Sequence, residues 1–143
     1  MAYKTKFIPT NKEKYVGDVG KITCRSLWER NVCKFCDQTP NVLKWSFEEI
    51  IVPYTSPLDR KQHNYFPDFV IQFKNDSGIN TWMVEVKPKK QTILKENASK
   101  KEKITWIINN AKWDAAKKYC EKNNMEFKII TEKEIFSNAN TNY

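Results

Sequence analysis

Between residues 65 and 90, apolar and polar positions alternate on either side of a turn-forming centre, Asn75-Asp76-Ser77-Gly78. Phe69, Ile71 and Phe73 alternate with Asp68, Val70 and Gln72. Trp82, Val84 and Val86 alternate with Met83, Glu85 and Lys87. Strand side chains repeat with period two, so the two runs predict a β-hairpin. The same alternation, Leu43, Trp45 and Phe47 against Lys44, Ser46 and Glu48, makes residues 42–54 β-rich, with Glu48-Glu49 marking a bend between two short strands.

Helical spacing appears twice. Residues 24–38 place Leu27, Val32, Phe35 and Cys36 on one apolar stripe with Arg25, Glu29, Arg30 and Lys34 around it, and Thr39-Pro40-Asn41 ends it. Residues 101–123 carry Ile104, Ile107 or Ile108, Ala111, Ala115 and Tyr119 at the spacing of a face packed on a sheet, with Asn123-Asn124 as the stop. Residues 125–131 form a further strand and residues 132–136 a short helix. Residues 1–22 are a basic, polar lead-in arm without a clean period, and the tail from 137 to 143 is polar enough to be disordered. Residues 56–64 read as a polar loop holding the only histidine, His63. The order helix, strands, hairpin, helix, strand gives an α/β domain, a mixed sheet with helices on its faces.

At 143 residues the chain has the length of one domain with a core of its own. Its net charge of +8 and pI near 9.3 point to a polyanion, most simply DNA. No stretch reaches the ~18 apolar residues of a membrane span, and the first residues lack the apolar core of a signal peptide. An intracellular protein with no membrane partner is the expectation. Cys33 and Cys36 form a single CxxC, with Cys24 and Cys120 apart from it. Without a second such pair, the expectation is reduced, buried thiols rather than a zinc knuckle.

The chemistry concentrates at one end of the hairpin. With the turn near Asp76 to Gly78, Asp68 falls opposite Glu85 to Lys87, and opposed residues have Cβ atoms ~5 Å apart. Two carboxylates that interrupt apolar strands repel unless a cation pairs them. A hard divalent cation such as Mg²⁺ would take their oxygens, and Lys87 could hold a phosphate or the attacking water. The spelling Pro67-Asp68 followed by Glu85-Val86-Lys87 matches the PD-(D/E)xK nuclease motif. A plain salt bridge on a two-faced sheet is the alternative. Beyond Lys87, the run of Lys89, Lys90, Lys95, Lys100 and Lys101 either contacts DNA phosphates or is simply a solvated face.

Taken together, Ser26-Leu27-Trp28-Glu29-Arg30, Trp45-Ser46-Phe47-Glu48-Glu49, Pro53-Tyr54, Tyr65-Phe66-Pro67-Asp68-Phe69 and Val84-Glu85-Val86-Lys87-Pro88 resemble the head-completion nucleases of tailed phages over roughly residues 3–135. The chain is more distantly similar to the endonuclease subunit of heteromeric transposases, which often has glutamine where Glu85 stands. The resemblance implies a restriction-endonuclease-like fold and Mg²⁺-dependent DNA cleavage, with Mn²⁺ as a substitute. It also implies a role in making the filled head competent to join the tail, in the host cytoplasm or with the virion, in contact with portal or neck proteins. Asp68, Glu85 and the Val86 carbonyl would hold the metal, and Lys87 would orient water or stabilise charge. Glu29 would add an acidic group from the first helix. Ser26-x-x-Glu29 equally fits a capping box, and Glu48 and Glu49 are the reserve candidates. Two other functions stay open: an assembly factor that binds DNA ends or the portal with little cleavage, and a transposase-like subunit that needs a partner.

Overall fold

The computed structural model describes residues 4–131. In chain order the main elements are β1 (Thr5–Lys6), β2 (Thr23–Cys24), α1 (Leu27–Gln38), β3 (Val42–Phe47), β4 (Val52–Thr55), β5 (Gln62–Tyr65), β6 (Phe69–Asn75), β7 (Gly78–Val86), α2 (Lys100–Lys122) and β8 (Glu126–Ile130). Three single 3-10 turns lie between them, at Lys12–Lys14, Val19–Lys21 and Lys89–Gln91.

The predicted hairpin is β6 and β7, paired antiparallel from Phe69↔Val84 to Asn75↔Gly78. Gly78 adopts φ +113, a conformation a residue with a Cβ would resist, and it closes the turn. β3 adds antiparallel to β6 and β8 adds parallel to β7, giving a four-stranded mixed sheet in the order β3-β6-β7-β8. A parallel neighbour needs a long crossover, and α2 supplies it. This α/β architecture is consistent with a restriction-endonuclease-like domain.

Period two divides the sheet between two cores. Phe69, Ile71, Val84, Trp45 and Phe47 pack with Val32, Cys33 and Cys36 of α1. Met83 and, half-buried, Val70 and Phe127 pack with Trp113, Ala116 and Cys120 of α2. The sheet is therefore apolar on both faces, and a charge inside it must be paired or serve a purpose.

Several boundaries differ from the sequence reading. The first helix begins at Leu27, because Ser26 is its N-cap, its Oγ accepting from the Glu29 N–H at 3.1 Å, while Cys24 belongs to β2. Its buried face is Val32, Cys33 and Cys36; Leu27 and Phe35 turn outward. The small thiols let α1 approach β2, with Cys24 and Cys33 Sγ 3.6 Å apart. The face of α2 centres on Trp113, Ala116 and Cys120, with Ile108, Ala111, Ala115 and Tyr119 at its margins and Ile107 exposed.

The lead-in segment is tied into the first core by Phe7, Tyr15 and Ile22. Its apolar residues show no period because two-residue strands and single turns present them one at a time. The stretch read as a polar loop holds β5, which pairs with β4 in a separate two-stranded sheet. The predicted short helix at 132–136 and the tail from 137 lie outside the described residues.

Candidate active site

The register that starts at Phe69↔Val84 carries Asp68 opposite Glu85 at the end of the hairpin. Asp68 stands just before β6, Glu85 is in the last turn of the pleat of β7, and Lys87 follows it. The Val86 N–H donates to Asp68 Oδ2 at 2.8 Å, which clamps the carboxylate to the neighbouring strand. Glu85 is 5% exposed and is held from β5: the Tyr65 hydroxyl donates to its Oε1 at 2.7 Å. The Lys87 ammonium lies 3.8 Å from Glu85 Oε2. Geometry thus brings together Asp68, Glu85, Lys87 and the backbone of Val86.

The electrostatics express the same crowding. Burial, then the adjacent Glu85 charge, pushes the Asp68 carboxyl well above the ordinary carboxylate range. Burial likewise raises Glu85, opposed by the Tyr65 hydrogen bond and the Lys87 charge. Two buried carboxylates that resist ionising side by side are a donor set suited to a hard divalent cation, which favours oxygen ligands. Among the described residues no group of three or more His, Cys, Asp or Glu side chains converges as a metal cluster. A cation here would draw two side-chain carboxylates and complete its sphere with backbone oxygen and water, which matches the habit of Mg²⁺.

Glu29 is placed differently. Its Oε1 accepts from the Arg25 N–H at 2.7 Å, one residue further back than a standard capping box reaches. Burial raises its pKa, with the Glu48 charge adding to the rise and the Arg25 N–H and Lys87 opposing it. Glu29 also acts electrostatically on Asp68, although no hydrogen bond joins them. It therefore lies close enough to act on Asp68 by charge while its hydrogen bonds serve the start of its own helix. The reserve candidates have other partners. Glu48 holds a left-handed φ of 55 and takes Arg25 Nη1 on both oxygens, at 2.7 and 2.9 Å. Glu49 accepts from the Tyr15 hydroxyl at 2.7 Å.

Lys89, Lys90, Lys95, Lys100 and Lys101 are all exposed, along the segment that leaves β7 at the site and runs into the first turn of α2. The fully buried side chains of α2 begin only at Asn109, so its basic first turns are not part of the core. His63 bonds Asp59 at 2.8 Å and stacks on Tyr54.

Three groups escaped the sequence reading. Tyr65 lay next to the motif without a role. Arg25 acts on Asp68 through its charge. Lys112 of α2 sits 5.7 Å from the Tyr65 ring centroid and favours the ionised form of Glu85. Tyr65 had a usable signal, since it precedes Asp68 by a single rigid Phe66-Pro67 step. Nothing local marks Lys112.

A mixed sheet with this pair of carboxylates and a lysine at one end is consistent with an endonuclease domain. The chain belongs to the TnsA-like endonuclease family: the family's model, described as TnsA-like endonuclease N terminal, matches residues 39–132. That span contains Asp68, Glu85 and Lys87 and stops short of Glu29. The head completion nuclease of Enterobacteria phage T4 is 38% identical to this chain over 142 residues, covering 92% of this chain and 93% of the relative.

Proposed function

We propose that this protein is a metal-dependent DNA endonuclease that acts in phage head completion, processing or trimming packaged DNA ends before the tail joins. The observation that carries the reading is the meeting of Asp68, Glu85, Val86 and Lys87 at the end of a sheet that is apolar on both faces. The near full-length likeness to a head completion nuclease supports the biological setting.

Asp68, Glu85 and the Val86 carbonyl would hold Mg²⁺ or Mn²⁺. Such an ion, when bound, supplies positive charge for the phosphate and acidifies a water molecule. The protein's own groups do the rest. The Val86 N–H and the Tyr65 hydroxyl fix the two carboxylates, so little reorganisation is left for the reaction. Lys87, tethered by Glu85 at its inner side, presents its ammonium where a phosphate oxygen gathers charge, or orients the attacking water. The exposed lysines from Lys89 to Lys101 hold the DNA backbone, which carries no sequence information and suits an enzyme that processes ends. The site of action is the host cytoplasm or the virion, and a portal or neck protein is the partner that this role calls for.

The test is cleavage of plasmid and linear DNA by purified protein. Nicking or degradation with Mg²⁺ or Mn²⁺, abolished by EDTA and by Asp68→Ala, Glu85→Ala or Lys87→Ala in folded protein, is the expected outcome. Asp68→Ala cutting like the parent would refute the site. DNA binding without cleavage under all metals would favour an assembly factor, or a subunit that needs a partner.

A further inference from the structure

In the pair of carboxylates, Asp68 has one oxygen engaged, while Glu85 holds the Tyr65 hydroxyl, the Asp68 backbone N–H and, on its other oxygen, Lys87. Asp68 Oδ2 accepts from the Val86 N–H, and Glu85 Oε1 accepts from the Tyr65 hydroxyl. Glu85 Oε2 is the oxygen turned toward Lys87. The two clamps differ in kind. The Val86 N–H is part of the backbone and survives every substitution except proline. The Tyr65 hydroxyl is a side-chain group delivered from a different sheet, at the end of β5.

Tyr65 is also held rigidly. It is 5% exposed and packs in the core that contains Val52, Met83 and Trp113. Its strand partner is Val52, and the Lys112 ammonium lies over its ring. The buried Pro67 two residues on limits the freedom of the step that leads to Asp68. The ring fills the core, and the hydroxyl lies beside the buried Trp113 side chain. The hydroxyl is used on Glu85.

We infer that Tyr65 is a positioning residue that sets metal selectivity, by keeping Glu85 from offering both oxygens to one ion. This rests on the metal-site reading given above. An ion that accepts one oxygen from each carboxylate, with water in the remaining positions, fits the clamped pair. Mg²⁺ and Mn²⁺ fit that description, whereas Ca²⁺ takes more ligands and readily accepts a carboxylate through both oxygens. Without the hydroxyl, Glu85 keeps the Asp68 N–H and Lys87 but loses its tie to β5, and its Oε1 becomes available to the same ion as Oε2. The site should then weaken for the small ions and hold or improve for Ca²⁺.

The experiment is calorimetric titration of metal-free protein with Mn²⁺ and separately with Ca²⁺, for the parent, Tyr65→Phe and Asp68→Asn. Phenylalanine keeps the ring in the core, and circular dichroism with thermal melting checks that the variant is folded. Loss of a residue that orients a metal ligand lowers affinity by roughly 10-fold to 100-fold. The expected result is at least about a tenfold fall in Mn²⁺ affinity in Tyr65→Phe, with Ca²⁺ affinity equal or higher, so the Mn²⁺-to-Ca²⁺ preference collapses. A purely structural tyrosine would lower the melting temperature and leave the ion preference alone. Folded Tyr65→Phe with the parent's preference overturns the inference while leaving the metal site standing. A parent that binds neither ion, or an Asp68→Asn that binds like the parent, overturns the metal-site reading and this inference with it.

Discussion

Glu29→Gln separates the two uses of Glu29. Glutamine keeps an acceptor for the Arg25 N–H, now 2.7 Å from Oε1, but drops the charge. A hydrogen bond to a charged group contributes ~1.5–3 kcal/mol and a neutral one ~0.5–1.5, so the bond weakens by about 1 kcal/mol. Against this, the half-buried carboxylate no longer resists ionisation, and its repulsion with Glu48 disappears. The two effects oppose each other, and the net change should stay within about 1 kcal/mol, or a shift in melting temperature of roughly 4 °C. On activity the readings diverge. If Glu29 serves the metal's outer sphere from α1, losing its charge should cost roughly 10-fold to 100-fold in cleavage or in the Mg²⁺ needed for half-maximal rate.

The control is Ser26→Ala. It removes the N-cap oxygen that accepts from the Glu29 N–H and should cost about 1 kcal/mol of stability. Its cleavage at saturating Mg²⁺ should stay near normal. Plasmid nicking across a Mg²⁺ series, with thermal melts of the same preparations, reads both quantities. Glu29→Gln that cuts like the parent at limiting Mg²⁺ would remove Glu29 from the site and leave it a helix-capping residue only.

Two further outcomes follow from the charges. Asp68 and Glu85 both titrate above their ordinary values when no cation is present. For acids raised in the folded state, the native protein holds more protons than the unfolded chain, so metal-free stability should fall as pH rises above about 4. Asp68→Asn should flatten that fall, and Mg²⁺ should raise the melting temperature more at pH 8 than at pH 5, because ligation needs ionised carboxylates. A metal-free melting temperature that climbs steadily from pH 4 to 8 in the parent but not in Asp68→Asn would contradict the sign. DNA affinity should drop steeply with salt and show little preference among unrelated duplexes. Replacing Lys95, Lys100 and Lys101 by Gln should reduce the log–log salt slope by about 3 if each contacts one phosphate. An unchanged slope in filter-binding or anisotropy titrations would make that run a solvated face.

The central hairpin was legible in the sequence because it is local. Period-two alternation, a turn at Asp76-Ser77 and Gly78 fix which residues oppose each other, so Asp68, Glu85 and Lys87 meet as a consequence of backbone geometry. The α/β class and the crossover helix were legible for the same reason, since apolar spacing reports the period of an element. Spacing does not report which part of a broad stripe is buried. α1 turned toward its two thiols because β2 packs close there, and α2 centred on Trp113 because its partner is the β4–β5 layer as much as the main sheet. β5 itself was hidden, its exposed Gln62, His63 and Asn64 giving no apolar alternation. What tertiary structure alone decided is the surroundings of the carboxylates: the Tyr65 hydroxyl on Glu85, Arg25 on Glu48 beside the site, Lys112 over Tyr65, and Glu29 drawn back to the Arg25 N–H. The first three join residues from different elements, set by how separate faces pack rather than by the chain's own repeat, while the Glu29 bond is a local choice at the start of α1.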